Sequence, residues 1–353
     1  MRLSEAATQL REHNAAALGS LSALEKEANN SAVLSEQLAG LYEELDFTDK
    51  LYSLARQATR LDPSYSPGFV RLGRVEQYLG YYTPAEQHLK EAVRLAPNSS
   101  DAHFALALLY KYLNKQPEAQ KSLQEARRAD PTEWRFCMIQ NEILLAQKKY
   151  AEAFQVLEEA ARLAPGKGGI TLHQAVTLDE QAADEIQKGK PKEAEAHRKQ
   201  ALTLAEKAIT ILPDFGPAWY HLGKLRLALG DQKGARDAWE KALKLAPTYL
   251  SVGYQLGQLY QRLGDPQRAR ELLKADSAPK AKVEIYQQMN LGVAATPDNL
   301  ELRRKLARYC VEHKLIHRAI FEWEQVLERK PGDPEAKRQV VALKARRLKD
   351  MTQ

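Results

Sequence analysis

The sequence repeats with a period of 34 residues, and prolines mark this period most clearly. Successive marker prolines stand 34 residues apart, except for one interval of 48 residues between Pro165 and Pro213. A fixed period of this length indicates one supersecondary unit copied along the chain. A unit this small cannot bury its own apolar face, so units must stack and leave a large open surface. The marker prolines are Pro63, Pro97, Pro131, Pro165, Pro213 and Pro247.

Other positions repeat in step with the proline when it is taken as the thirty-second residue of each unit. Leucine recurs at the seventh place with glycine or alanine at the eighth, and alanine returns at the twentieth. Good helix formers fill the intervals, and small residues let two helices cross closely. Each unit is therefore predicted to be a helical hairpin whose second helix ends at the proline. Examples are Leu72–Gly73, Leu106–Ala107, Leu222–Gly223, Ala85, Ala119 and Ala235.

This pattern resembles the tetratricopeptide repeat, and the resemblance covers most of the chain. It implies an all-α fold, a right-handed α-solenoid (superhelix) of helical hairpins with N- and C-terminal capping helices. The fourth unit departs from the pattern, because Gln140 and Asn141 replace the leucine and the small residue. We expect such departures to change local packing but not the architecture.

The marker positions divide the chain into seven segments. The 14 extra residues of the fifth unit should add about two turns to each of its helices, and Pro279 is expected to end the second helix of the seventh unit. The C-terminal helix is expected to bury Ala336, Val340 and Leu343 and to expose Lys337, Lys344, Arg346 and Arg347. The segments are an N-terminal capping helix (1–31), four regular units (32–167), an enlarged unit with an extended hairpin (168–215), two further units (216–283), a connecting helix (284–299), a last unit (300–333) and a C-terminal capping helix (334–353).

Composition sets broad limits on the protein. Charged residues make up 28% and hydrophobic residues 44%, as in soluble globular proteins. No apolar run is long enough for a transmembrane helix, and the first ten residues do not read as a signal peptide. We therefore predict a cytoplasmic protein, with a periplasmic or secreted location as the alternative if a leader has been removed. The two distant cysteines, Cys137 and Cys310, are predicted to be buried free thiols.

The family resemblance implies that the first helices of successive units line a concave face on which peptides bind. The relevant places predict an apolar strip with basic groups at either side, suited to an extended or helical peptide with apolar anchors and some acidic residues. The alternative is that Phe104, Leu108, Met138 and Leu145 pack between helices. The predicted binding residues are Arg71, Arg74, Phe104, Leu108, Lys111, Met138, Glu142, Leu145, Tyr220, His221, Lys224, Arg304 and Arg308.

Other kinds of function find less support in the sequence. No phosphate-binding loop is present, His313 and His317 lack an evident third metal ligand, and no catalytic constellation can be assembled from spacing. We therefore predict no enzyme activity, no cofactor and no metal site. Nucleic-acid binding is an alternative, made less favourable because acids interrupt the basic residues. Self-association through residues 1–30 or the hairpin at 176–200 is a further alternative.

Overall fold

The computed structural model describes residue 8 and residues 16–247 and 252–352. This part of the chain contains eighteen α-helices and no strand, which confirms the all-α fold class. The helices are α1 (Ala16–Ala28), α2 (Ala32–Glu44), α3 (Thr48–Leu61), α4 (Ser66–Tyr78), α5 (Tyr82–Leu95), α6 (Ser100–Tyr112), α7 (Gln116–Ala129), α8 (Trp134–Ala146), α9 (Tyr150–Leu163), α10 (Gly168–Gln187), α11 (Pro191–Ile211), α12 (Gly216–Ala228), α13 (Gln232–Leu245), α14 (Val252–Arg262), α15 (Pro266–Ala295), α16 (Leu300–Glu312), α17 (Ile316–Arg329) and α18 (Pro334–Thr352).

Regular hairpins pair a first helix of 13 residues with a second helix of 14 residues, as in α4–α5 and α12–α13. The two helices cross where the sequence places its small residues. A Cβ atom added at Gly73 would lie 2.5 Å from Cγ of Leu89, a side chain that is fully buried. The close crossing predicted from the eighth place is therefore confirmed.

Each described turn between paired helices has one residue in the left-handed region, directly after the first helix and its cap. Glycine occupies this position at Gly80 and Gly230, with φ of 83° and 90°. Lysine occupies it in the last hairpin, where Lys314 has a φ of 61°. Glycine adopts this conformation without steric cost, whereas a side chain makes it less favourable by about 1 kcal/mol. The repeat therefore requires this turn even where the sequence supplies no glycine.

The chain divides into two compact units, and the first comprises residues 1–129 and 284–353. In this unit α1 to α4 share a core that includes Leu38, Leu72 and Leu79, and Phe321 of α17 joins the same core. Leu21 and Leu24 of α1 are buried in it as well. The described part of the N-terminal segment therefore covers the apolar side of the first hairpin.

The last hairpin of the first unit is anchored by buried charges. Arg303 and Glu322 are both fully buried, and Arg303 Nη1 lies 2.6 Å from Glu322 Oε2. Arg318 lies 2.7 Å from the second oxygen of Glu322. Arg303 also donates a hydrogen bond of 2.9 Å to the Tyr81 hydroxyl, which lies at the start of α5. A fixed polar contact thus joins residues that are more than 200 positions apart.

Helix α18 buries Ala336, Val340 and Leu343 together with residues of α16 and α17, as its amphipathic pattern predicts. Lys337, Lys344 and Arg346 are exposed as predicted, but the prediction that Arg347 faces solvent is wrong. Its guanidinium donates to both oxygens of Asp49, at 2.8 and 2.9 Å, and lies over the Phe47 ring. Asp49 is buried, so its charge requires a partner, and the last helix supplies it.

The second compact unit comprises residues 130–283. The 14 extra residues of the fifth hairpin lie in its helices, since α10 has 20 residues and α11 has 21. The departure at Asn141 is also explained, because its buried amide donates to the Thr177 hydroxyl at 3.0 Å. A hydrogen bond to α10 thus replaces the small apolar residue of the pattern.

Residues 284–299 do not contain a separate connecting helix. Helix α15 runs without interruption from Pro266 to Ala295, although residue 283 is the last of the second compact unit. Pro279 was expected to end a helix, because proline removes a backbone donor and its ring clashes with the preceding turn. Strong helix formers on both sides of it favour continuation of the helix here. Both cysteines are buried and free, as predicted, and burial raises the pKa of Cys310 to about 12.

The turn geometry predicts that Lys314→Gly stabilises the protein. Removing the side chain from a left-handed residue should raise the free energy of unfolding by about 1 kcal/mol. Lys330→Gly is the matched control, because Lys330 is also an exposed lysine next to α17 but has a φ of −137°. This control should be unchanged or less stable. Urea unfolding followed by circular dichroism measures both, and an equal or lower midpoint for Lys314→Gly would contradict the prediction.

Candidate functional site

Arg71 and Arg74 lie on α4 and are paired with carboxylates of α2. Arg71 donates to Glu36 Oε1 from Nε at 3.0 Å and from Nη2 at 2.7 Å, and a third bond joins it to Glu43. Arg74 Nη2 donates to the other oxygen of Glu43 at 3.1 Å. Two arginines and two glutamates form one network without net charge. Neither arginine is therefore a free cation.

Phe104, Leu108 and Lys111 lie on α6 at spacings of four and three residues, so they share one face of that helix. All three are half-buried. The core side of α6 is occupied by other residues, among them Ala105 and Leu109, which are almost fully buried. Phe104 and Leu108 thus lie at the boundary between core and surface. Each side chain is partly packed and partly accessible, so neither of the two sequence-based alternatives, groove or core, describes it fully.

Met138, Glu142 and Leu145 lie on α8 in the second compact unit, and all three are half-buried. Met138 packs against a small core cluster that includes Cys137 and Ile170. Its side chain therefore has a packing role as well as a partly accessible surface.

Tyr220, His221 and Lys224 lie together on α12. Lys224 Nζ is 2.7 Å from Oδ2 of Asp179, a buried carboxylate on α10. Burial and then the nearby Lys224 charge lower the pKa of His221 to about 4, so its ring is neutral at pH 7. The Tyr220 ring meets the His221 ring edge-on at a centroid distance of 5.3 Å. This cluster therefore combines the aromatic rings of Tyr220 and His221 with Lys224, whose charge is paired with Asp179.

Arg304 and Arg308 lie on α16 in the first compact unit, one turn apart. Arg304 Nη2 donates to Asp333 Oδ2 at 2.7 Å. Arg308 donates to both oxygens of Glu335, from Nε at 2.9 Å and from Nη2 at 2.7 Å. Both arginines also approach Glu301, at 3.3 and 3.8 Å. They are thus held by carboxylates at and near the start of α18.

The structure therefore gathers the predicted residues into separate local clusters on α4, α6, α8, α12 and α16. Five predicted cations are paired with carboxylates of the chain itself, which the sequence analysis did not foresee. These cations are Arg71, Arg74, Lys224, Arg304 and Arg308. An acidic peptide would have to compete with these internal partners.

The sequence analysis also missed a cavity of about 700 Å³ in the first compact unit. Its walls come from residues 52–84 and residues 291–329. The aromatic pair Tyr81–Tyr82 in the second hairpin turn was the available signal, because turn residues of this kind are usually small or polar. The pairing of these distant segments could not be derived from the 34-residue period.

Among the residues that the structure describes, no three His, Cys, Asp or Glu side chains are grouped so that they could hold a metal ion. In the same part of the chain, none of the helices combines the length and apolar character needed to cross a membrane.

Comparison with known families agrees with the hairpin geometry. Tetratricopeptide repeat profiles match residues 67–99, 105–167, 216–249 and 251–275. The chain is a repeat protein of the helical-hairpin class, and the matched segments make it a tetratricopeptide repeat protein. No curated protein matches its sequence.

Solved structures with the same fold have low sequence identity to this chain. A monomeric IFIT1 mutant with Gppp-AAAA aligns with a TM-score of 0.60 and 14% identity, over 88% of this chain and 76% of that one. The human IFIT1 dimer with m7Gppp-AAAA gives 0.59 and 15%, over 90% and 78%. The human IFIT1 dimer with PPP-AAAA gives 0.56 and 16%, over 90% and 79%. At these identities the likeness shows the fold.

The environment of His221 predicts a pH dependence. Its folded-state pKa of about 4 lies below the ordinary value of about 6.5, so the unfolded chain binds a proton first as the pH falls. The contribution of His221 to the free energy of unfolding should therefore be fully present above pH 6.5. It should be lost as the pH falls from about 6.5 to 4.

NMR titration of the His221 ring measures its pKa, and urea midpoints across this pH range measure the stability. His221→Gln should reduce the loss of stability on acidification. A ring that titrates near pH 6.5 in the folded protein would contradict the assignment.

Proposed function

We propose that this protein is a scaffold that binds an extended or helical peptide on the first helices of its hairpins. The observation that carries the proposal is the position of Phe104 and Leu108. Ala105 and Leu109 already fill the core side of α6, so the half-buried pair offers apolar surface beyond what the core needs. Lys111 follows on the same face. We propose no catalytic activity, cofactor or metal site for this protein. We also propose that it is located in the cytoplasm.

Apolar anchors are the main recognition elements in this proposal. The predicted basic flanks are engaged with Glu36, Glu43 and other carboxylates, so acidic residues of a partner would contribute mainly by exchanging with these pairs. Such exchange brings little net electrostatic gain near the surface. We therefore expect affinity to depend more on aromatic or branched side chains of the peptide than on its charge.

RNA is the rival ligand, because the IFIT1 structures hold capped or triphosphorylated AAAA oligonucleotides. RNA binding requires cations that can contact phosphates. The ion pairs of Arg71, Arg74, Arg304 and Arg308 argue against that role on α4 and α16. Self-association is a second rival. The burial of Leu21 and Leu24 in the protein's own core argues against a role for the described part of residues 1–30, while the hairpin at 176–200 stays a candidate contact.

The test uses short peptides selected on the wild-type protein from a random display library. Phe104→Ala and Leu108→Ala should each weaken binding of the selected peptides about tenfold, because truncation removes an apolar anchor. Fluorescence anisotropy with labelled peptides measures the affinities, and thermal unfolding measures stability.

Val341→Ala is the matched control, since Val341 is an exposed apolar residue on α18, outside the first helices. It should leave peptide affinity unchanged. If Phe104→Ala and Leu108→Ala retain affinity but lower the melting temperature, these side chains belong to the core and the site assignment is wrong. Tight binding of an AAAA oligonucleotide that falls steeply with salt would favour the RNA rival.

A further inference from the structure

The cavity in the first compact unit is separate from the first-helix faces described above. It lies where the C-terminal end of α15 and the end of α17 approach α3 and the turn between α4 and α5. Its volume of about 700 Å³ falls within the range of small-molecule sites. The turn approaches α15 closely, because a Cβ atom at Gly80 would lie 3.1 Å from the Asn290 side chain.

Buried contacts hold the walls of this cavity in place. Arg303 donates to the Tyr81 hydroxyl at 2.9 Å and to the Pro297 carbonyl at 3.1 Å, so one guanidinium joins residues of both lining segments. The Tyr52 ring meets Phe321 edge-on at a centroid distance of 5.3 Å. A ligand would therefore meet a largely preformed site, which lowers the entropic cost of binding.

The lining is mainly apolar and aromatic, with a few polar groups. Tyr52, Tyr81, Tyr82 and Leu291 contribute apolar surface, and Leu291 is half exposed at the rim. Glu76 is 3% exposed, and its Oε2 pairs with His88 Nδ1 at 2.7 Å. Because Glu76 also lines the cavity, its carboxylate can accept a hydrogen bond from a ligand.

Arg329 supplies a cation on another part of the lining. Its Nε pairs at 3.2 Å with Asp298, but the Asp298 side chain is 93% exposed. Its Nη1 donates to the backbone and side-chain oxygens of Gln325. An exposed carboxylate is a weak partner, so an anionic ligand group could replace Asp298 at little cost.

An organic cation does not suit this site. Two guanidinium groups already lie over lining rings, with Arg56 5.5 Å from the Tyr52 centroid and Arg303 6.0 Å from the Tyr81 centroid, so a cationic ligand would meet like charges. We propose that the cavity binds an aromatic carboxylic acid that carries an N–H or O–H donor. The ring would lie among the tyrosines and Leu291, the donor would bind Glu76, and the carboxylate would bind Arg329. This site does not depend on the peptide-binding proposal.

N-acetyl-L-tryptophan is the probe, because it combines an indole ring, an N–H donor and a carboxylate. Calorimetry should give a dissociation constant on the order of 0.1–1 mM for the 353-residue chain. The neutral amide of the same compound should bind at least about tenfold more weakly, since it cannot pair with Arg329. A hexapeptide with a C-terminal tryptophan distinguishes the source of the acid: tighter binding than the probe indicates a protein C-terminus, and weaker binding a free metabolite.

Three variants locate the site. Ala295→Trp fills the cavity from its rim, and Arg329→Gln removes the cation; each should weaken probe binding at least about tenfold. Ala342→Trp is the matched control, because Ala342 is an exposed alanine on α18 outside the cavity, and it should bind like the wild type.

Circular dichroism melting confirms that each variant is folded. The proposal is overturned if the wild type binds no probe at a probe concentration about tenfold above the expected dissociation constant. Unchanged binding to folded Ala295→Trp overturns it as well. Phe104→Ala should leave probe binding unchanged, so failure of this proposal and failure of the peptide proposal give different results.

Discussion

The close crossing of the two helices in each hairpin is the constraint on which the rest of this structure depends. At Gly223 an added Cβ atom would lie 2.5 Å from the Trp239 ring, and Trp239 is almost fully buried. The crossing fixes which residues of the first helix face inward. In α6 it turns Ala105 and Leu109 toward the core and leaves Phe104 and Leu108 half-buried. The candidate peptide surface is therefore a consequence of how the hairpin is packed.

Stacking of neighbouring repeats does not explain how the last hairpin meets the first ones. Besides the apolar packing of Phe321, that contact involves Arg303, Glu322 and Arg318, which form a buried cluster with two positive charges and one negative charge. Removing one partner of such a cluster costs about 3–5 kcal/mol, because a charge is left buried and unpaired. The hydroxyl of Tyr81 accepts from Arg303 and so requires a particular alignment. We interpret this cluster as the feature that specifies the contact, since apolar packing alone tolerates shifts.

The sequence predicts the parts of the fold that depend on local spacing. The marker prolines and the small residues locate the hairpins, and the pattern of Ala336, Val340 and Leu343 identifies the buried face of α18. It does not predict contacts between distant segments. Arg347 was assigned to solvent because its partner, Asp49, lies nearly 300 residues away. The same reason explains why the cavity at Tyr81 was not foreseen. Arg304 and Arg308 are paired with carboxylates only 29 and 27 residues away, but the 34-residue pattern does not specify which side chains pair.

The distribution of ion pairs separates the two proposed binding sites by the kind of ligand each can select. At α4 an acidic partner would have to displace Glu36 and Glu43, which hold Arg71 through several hydrogen bonds in a partly buried setting. Displacement there exchanges one carboxylate for another and adds a desolvation cost. At the cavity, Arg329 is paired with an almost fully exposed Asp298, whose contribution is small. Selectivity for an anion therefore belongs to the cavity, whereas the first helices select a partner by its apolar side chains.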